Sequence, residues 1–121
     1  MPIEEYHFGS ITIDGKTYDY DIEVRWTDEI LKWWRGESHI VDIDDVKRAV
    51  EQNPETLVIG TGESEAVRVT ENTQKFIREK GIELIIDKTE EAIKTFNILK
   101  EESEEEEGKE NKVIGLFHLT C

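Results

Sequence analysis

The chain is expected to fold as an α/β protein, and three stretches carry that expectation. Leu57-Val58-Ile59 reads as a buried strand that stops abruptly at Gly60-Thr61-Gly62. A capped helix and the apolar run Ile82-Glu83-Leu84-Ile85-Ile86 follow it. Strand, helix and strand in about 30 residues make a βαβ unit, with parallel strands and a right-handed connection. Val113-Ile114-Gly115-Leu116-Phe117-His118-Leu119 is apolar on both faces, the pattern of a central strand whose direction the pattern leaves open.

The 121 residues fit one domain spanning 1–121, large enough to bury a core without a staple. Cys121 is the single cysteine, which rules out an intrachain disulfide and points to a reducing compartment. No apolar run is long enough to cross a membrane, and Met1-Pro2-Ile3-Glu4-Glu5 lacks the basic and apolar regions of a signal peptide. A soluble, cytoplasmic protein is expected. The formal charge of -14 argues against nucleic acid and anionic membrane surfaces as partners, because both are bound through Lys and Arg.

Near the N-terminus, Asp14-Gly15 separates Ile11-Thr12-Ile13 from an alternating arm that runs from Lys16 to Val24. Asp-Gly suits a hairpin turn that needs positive φ at both positions. On the second arm Tyr18, Tyr20, Ile22 and Val24 share one face, while Thr17, Asp19, Asp21, Glu23 and Arg25 share the solvent face. Trp26 to Ile40 shows no sustained period, and Glu29 to Trp34 is read as a helical turn that Gly36 ends. Asp42 is a good N-cap for a helix whose stripe is Ile43, Val46, Ala49 and Val50, stopped by Asn53-Pro54.

Val67-Arg68-Val69 is a short extended piece. Thr70 then caps a helix with Val69, Thr73, Phe76 and Ile77 facing inward, and Gly81 closes it. Thr89 caps a third helix, with Ala92, Ile93, Phe96 and Leu99 on one face. Residues 101–110 are a like-charge block, expected to be a solvated, flexible acidic loop; a cation- or partner-binding role is the alternative. The block lacks the spaced Asp, Asn and Gly of a calcium loop.

Four motifs in order resemble a known family. They are Phe8-Gly9 with Ile13-Asp14-Gly15, Trp33-Trp34-Arg35 with Gly36 and His39, Leu57 to Gly62, and His118-Leu119-Thr120-Cys121. Together they resemble the small domain family of the adipogenesis-associated domain-containing protein and a mitochondrial complex I assembly factor. The resemblance implies a three-layer α/β fold around a mixed five-stranded sheet of order 2-1-5-3-4. In it the last strand is central and antiparallel to its neighbours. It implies no established reaction, and the family's animal members have assembly and regulatory roles.

Gly60-Thr61-Gly62 lies at a strand's carboxyl end, where open α/β sheets bind ligands, and its amides are candidates to hold a small anion. The bland alternative is a tight turn packed on Trp33 or Trp34. The dinucleotide fingerprint fails at Glu65. In Trp33-Trp34-Arg35 a guanidinium beside an indole can stack and still present its fork to a carboxylate. Its alternative is one core Trp, one Trp over a sheet edge, and Arg35 paired with an acidic side chain. His39 and His118 are candidate titrating groups, although a buried, hydrogen-bonded His118 is the commoner arrangement. Thr120 shares the face of His118 and is a candidate to line the same pocket, whereas Cys121 points to the opposite face.

No catalytic residue, metal site or cofactor is assigned. The histidines at 7, 39 and 118 match no metal-ligand spacing. The function expected is an accessory, assembly or protein-interaction role without turnover, with an unidentified protein partner and a monomeric or weakly dimeric state. The alternative is a small-anion-binding protein or enzyme at the Gly60-Thr61-Gly62 loop.

Overall fold

The computed structural model describes residues 3–105 and 111–121. Three antiparallel strands open the chain: β1 (Ile3–His7), β2 (Ser10–Ile13) and β3 (Lys16–Tyr18). The β2–β3 turn is the expected Asp14-Gly15, with φ of 52° and 78°. β1 has no counterpart among the expected strands, because Ile3 is its one buried residue and the alternation is lost in Glu4 and Glu5.

The hairpin arm expected to run unbroken to Val24 divides instead. β3 stops at Tyr18, and β4 (Ile22–Arg25) belongs to a separate five-stranded sheet. Its expected solvent face is also buried. Glu23 is 1% exposed and accepts from Arg25 Nε at 2.6 Å and from Arg48 Nε at 3.1 Å. The paired guanidinium groups let a carboxylate sit beneath the helix that carries Arg48. β5 (Ile30–Lys32) replaces the expected helical turn and pairs antiparallel with β4, as Glu23↔Leu31. Asp28, at φ 73°, turns the chain between them.

β6 (Ile40–Val41) precedes α1 (Ile43–Val50), where the Asp42 amide donates to the Asp45 carboxylate at 2.7 Å. Then come β7 (Thr56–Thr61), β8 (Arg68–Val69), α2 (Glu71–Glu79) and β9 (Glu83–Asp87). β6 and β8 form a small parallel pair. The Thr70 hydroxyl accepts from the Thr73 amide at 3.2 Å, as its N-cap place requires. α3 (Thr89–Glu105) and β10 (Val113–His118) complete the chain. α3 carries residues 101–105 of the expected acidic loop as helix, and 106–110 lie outside the described residues.

The main sheet runs β5-β4-β10-β7-β9, so β10 is central as expected and the order corresponds to 2-1-5-3-4. Its direction differs in part from the expectation. β10 is antiparallel to β4 but parallel to β7, as in His118↔Thr61. α3 has already carried the chain back across the sheet, so β10 starts from the same edge as β7 and β9. Alternation along the strands divides the core into two. Leu57, Ile59, Ile114 and Leu116 pack with α1 and α2; Val58, Val113 and Phe117 pack with α3 and the β1–β3 sheet.

Candidate functional site

The carboxyl ends of β10, β7 and β9 lie along one edge of the sheet, beside the start of β4. Asp21 occupies the gap between β3 and β4, and its carboxylate gathers that edge together. Oδ1 accepts from the Leu119 amide at 2.8 Å, and Oδ2 accepts from Arg35 Nη1 at 2.7 Å. His118 Nδ1 lies 2.7 Å from the same Oδ2. Burial alone would raise the pKa of Asp21. Hydrogen bonds from His118, the Leu119 amide and Arg35 outweigh burial and hold it below its ordinary value.

Arg35 is fixed on every side but one. Its guanidinium carbon is 4.7 Å from the centre of the Trp33 ring, and Nη2 donates to the Ser38 carbonyl at 2.8 Å. Its Nε is buried without a hydrogen-bond partner among the described residues. Trp33 is core, and its indole N–H donates to the Asp45 carbonyl of α1 at 2.9 Å. Trp34, next in the chain, faces the other way and is 75% exposed.

Trp34 closes one side of a cleft of about 250 Å³, lined by Tyr20, Asp21, Lys32, Trp33, Arg35 and Ser38 as well. Lys32 Nζ stands 4.8 Å from the Tyr20 ring centre and 5.8 Å from that of Trp34. The mouth of the cleft is therefore an ammonium between two aromatic rings, and its floor is the Asp21–Arg35 ion pair.

The candidate residues separate into two groups. Trp33, Trp34, Arg35, His39, His118 and Thr120 converge on the edge: the His39 ring meets His118 edge-on at 6.1 Å, and Thr120 Oγ1 lies 3.2 Å from His118 Nε2. Gly60, Thr61 and Gly62 lie behind them, and Gly60 and Thr61 are strand residues in the ladder between β10 and β9. The Gly62 amide donates to Thr89 Oγ1 at 2.8 Å, and the Glu63 amide to the Thr120 carbonyl at 2.8 Å. The Thr89 hydroxyl in turn donates to the His118 carbonyl. These bonds tie the corner to the end of β10.

Asp21, Tyr20, Lys32, Ser38 and Thr89 were not among the sequence candidates. The even alternation of the arm from Lys16 to Val24 gave no signal that set Tyr20 or Asp21 apart. Among the described residues no group of three or more His, Cys, Asp or Glu side chains could hold a metal ion, and no helix is long and apolar enough to cross a membrane.

Three solved structures are similar over nearly the whole chain. A conserved hypothetical protein from Pyrococcus horikoshii OT3 shares 28% identity over 100% of both chains with a TM-score of 0.81. An outer membrane protein from Bartonella henselae shares 23% identity over 99% of this chain and 95% of its own, TM-score 0.78. A Mth938-like domain from Bordetella pertussis shares 16% identity over 98% and 85%, TM-score 0.68. The last two speak for the fold alone. The family model described as a protein of unknown function (DUF498/DUF598) matches residues 3–108, and the chain belongs to that family.

Proposed function

We propose that the protein is an accessory or assembly module that docks a protein partner through the cleft formed by Tyr20, Lys32 and Trp34. One observation carries the reading: Trp34 is 75% exposed at the rim of a cleft whose floor is held rigid by the Asp21–Arg35–His118 cluster. An exposed indole on a rigid base is the kind of anchor that dominates binding energy at protein interfaces. The chain as a whole carries a charge of -14, which steers a partner with a basic face toward it. The partner is a cytoplasmic protein with a pocket for an indole and a carbonyl or carboxylate for Lys32. The resemblance to the adipogenesis-associated protein and the complex I assembly factor supports an assembly role.

Selection from a displayed library of small folded domains tests this. The binders expected are basic and lose affinity as salt rises. Trp34→Ala weakens them by at least ~30-fold, the equivalent of about 2 kcal/mol. Binders unaffected by Trp34→Ala would contradict the reading.

A second reading is a small-anion site with Arg35 as its cation; the unpartnered Arg35 Nε favours it, while the Gly60-Thr61-Gly62 corner is engaged by the strand ladder and by Thr89 and contributes no free amide. Such a ligand at about 100 times its Kd adds ~2.7 kcal/mol of stability. That would raise Tm by about 10 °C for a domain of this size, and the rise would be lost in Arg35→Ala. An unchanged Tm across a panel of carboxylates and phosphates would exclude this reading and leave the docking reading untouched.

A further inference from the structure

We propose that Thr120 is an acyl-acceptor site, its hydroxyl activated by His118 as general base and its acyl donor a small neutral ester. Asp21, His118 and Thr120 stand in line. Asp21 Oδ2 is 2.7 Å from His118 Nδ1, and His118 Nε2 is 3.2 Å from Thr120 Oγ1. The order carboxylate, imidazole, hydroxyl is that of nucleophiles activated for acyl transfer, which are recognised by geometry and not by chain order.

The neighbours of His118 fix its tautomer. An ionised Asp21 can only accept, so Nδ1 carries the proton and Nε2 presents its lone pair to Thr120. Arg35 Nη2 is 3.0 Å from the same Nδ1, but a protonated Nδ1 cannot accept from it, and one of the two Nη2 hydrogens goes to the Ser38 carbonyl at 2.8 Å. Arg35 Nη1 and the Leu119 amide keep Asp21 ionised and in place. Asp21 is thus a positioning residue that acts through the imidazole.

The site lies at an edge of the sheet, where His118 itself is buried. His118 and Thr120 are two residues apart at the end of β10, so the pleat sends both side chains to one side. They stand at the carboxyl edge of the parallel strands β10, β7 and β9, the usual place for chemistry in open α/β sheets. Thr120 is half-buried, and the exposed His39 ring borders His118. With a net charge of -14 around it, an anionic donor is repelled and a neutral one is not.

The step balances without a co-reactant. Thr120 Oγ attacks the ester carbonyl carbon, and its proton moves to His118 Nε2. The tetrahedral intermediate then expels the alkoxide, which takes that proton back from Nε2. A Thr120 ester and a free alcohol result. This chemistry shares Asp21 and His118 with the base of the docking cleft and differs from the docking surface in its acceptor, since Thr120 does not line that cleft.

The test uses 4-nitrophenyl acetate on full-length Cys121→Ser protein, since the exposed thiol of Cys121 would itself be acylated. Nitrophenolate release gives the rate, and peptide mapping by mass spectrometry gives the site. A single acetyl group on Thr120 is expected, absent in the isosteric Thr120→Val. His118→Ala is expected to slow labelling of Thr120 by ~10²-fold or more and to be rescued by free imidazole. In the His118→Ala background, Asp21→Asn is expected to change the rate no further. Circular dichroism checks that each variant is folded. Acetylation confined to lysines, or an unchanged rate at Thr120 in folded His118→Ala, would overturn the proposal. An additional loss from Asp21→Asn in that background would overturn the positioning role.

Discussion

Asp21→Asn is expected to destabilise the protein by roughly 3 kcal/mol at neutral pH, a fall in Tm of about 12 °C. The substitution keeps the volume of the side chain and removes its charge. Arg35 Nη1 loses its carboxylate while its side chain remains only 7% exposed, and His118 Nδ1 and the Leu119 amide lose their anionic acceptor. Breaking one partner out of a buried charged network leaves the others desolvated and unpaired, and this costs more than the bond itself is worth.

The same variant should remove a pH dependence. The folded-state pKa of Asp21 lies below its ordinary 3.8, so the folded state favours the ionised form more than the unfolded chain does. Its stabilisation is fully present above that ordinary value and is lost as pH falls through the folded value. Urea unfolding from pH 7 down to pH 2, run on wild type and Asp21→Asn, should show two curves that converge below about pH 4. A gap of constant size across that range would show that Asp21 matters for packing and not for charge.

Gly62→Ala is expected to cost more, on the order of 4 kcal/mol, from backbone strain and overpacking together. Gly62 sits at φ 103°, and a Cβ there would lie 2.6 Å from the Cys121 carbonyl oxygen and 2.8 Å from that of Thr120. Backbone cannot step aside as a side-chain tip can. The Glu63 amide is bonded to the Thr120 carbonyl, and the Gly62 amide to Thr89. The methyl group must therefore lift residues 119–121 from the sheet edge and draw the Leu119 amide away from Asp21. Gly81→Ala is the matched control, with φ 78° and nothing within 4 Å of its added Cβ. It should cost only about 1 kcal/mol of strain. Equal losses in the two variants, measured by thermal and urea unfolding, would remove the clash from the explanation.

Local chemistry made much of this fold legible. The Asp42 and Thr70 caps, the stripe Val46, Ala49 and Val50, and the two-sided apolarity of Val113 to His118 each name an element without reference to distant residues. What was not legible depends on partners far away in the chain. Asp21 and Asp19 look alike in an alternating arm; residues 35, 118 and 119 single out Asp21, and no pattern of neighbours shows them. Glu23 and Arg25 read as solvent-facing because nothing in that arm foretells that Arg48 of α1 will cover them. β6 and β8, two residues each, are too short for any period to register.

The site shows the same division. One core Trp and one outer Trp was the alternative reading of Trp33-Trp34, and Trp33 is indeed buried and Trp34 exposed, although the helical turn expected there is not formed. The ring pair that Trp34 makes around Lys32 was not legible, because Tyr20 reaches it from across the β3–β4 break. The Gly60-Thr61-Gly62 corner has the spacing of an anion cradle. Its backbone is instead engaged by Thr89 and by the chain at Thr120, two contacts that only the tertiary fold creates.

Amide hydrogen exchange of the wild type, alone and with a saturating selected binder, would test the docking surface most directly. The expected result is slowed exchange at residues 30–38 and none along α2. Protection confined to α2, or to the β1–β3 sheet, would place the working surface elsewhere and contradict the role given to Trp34.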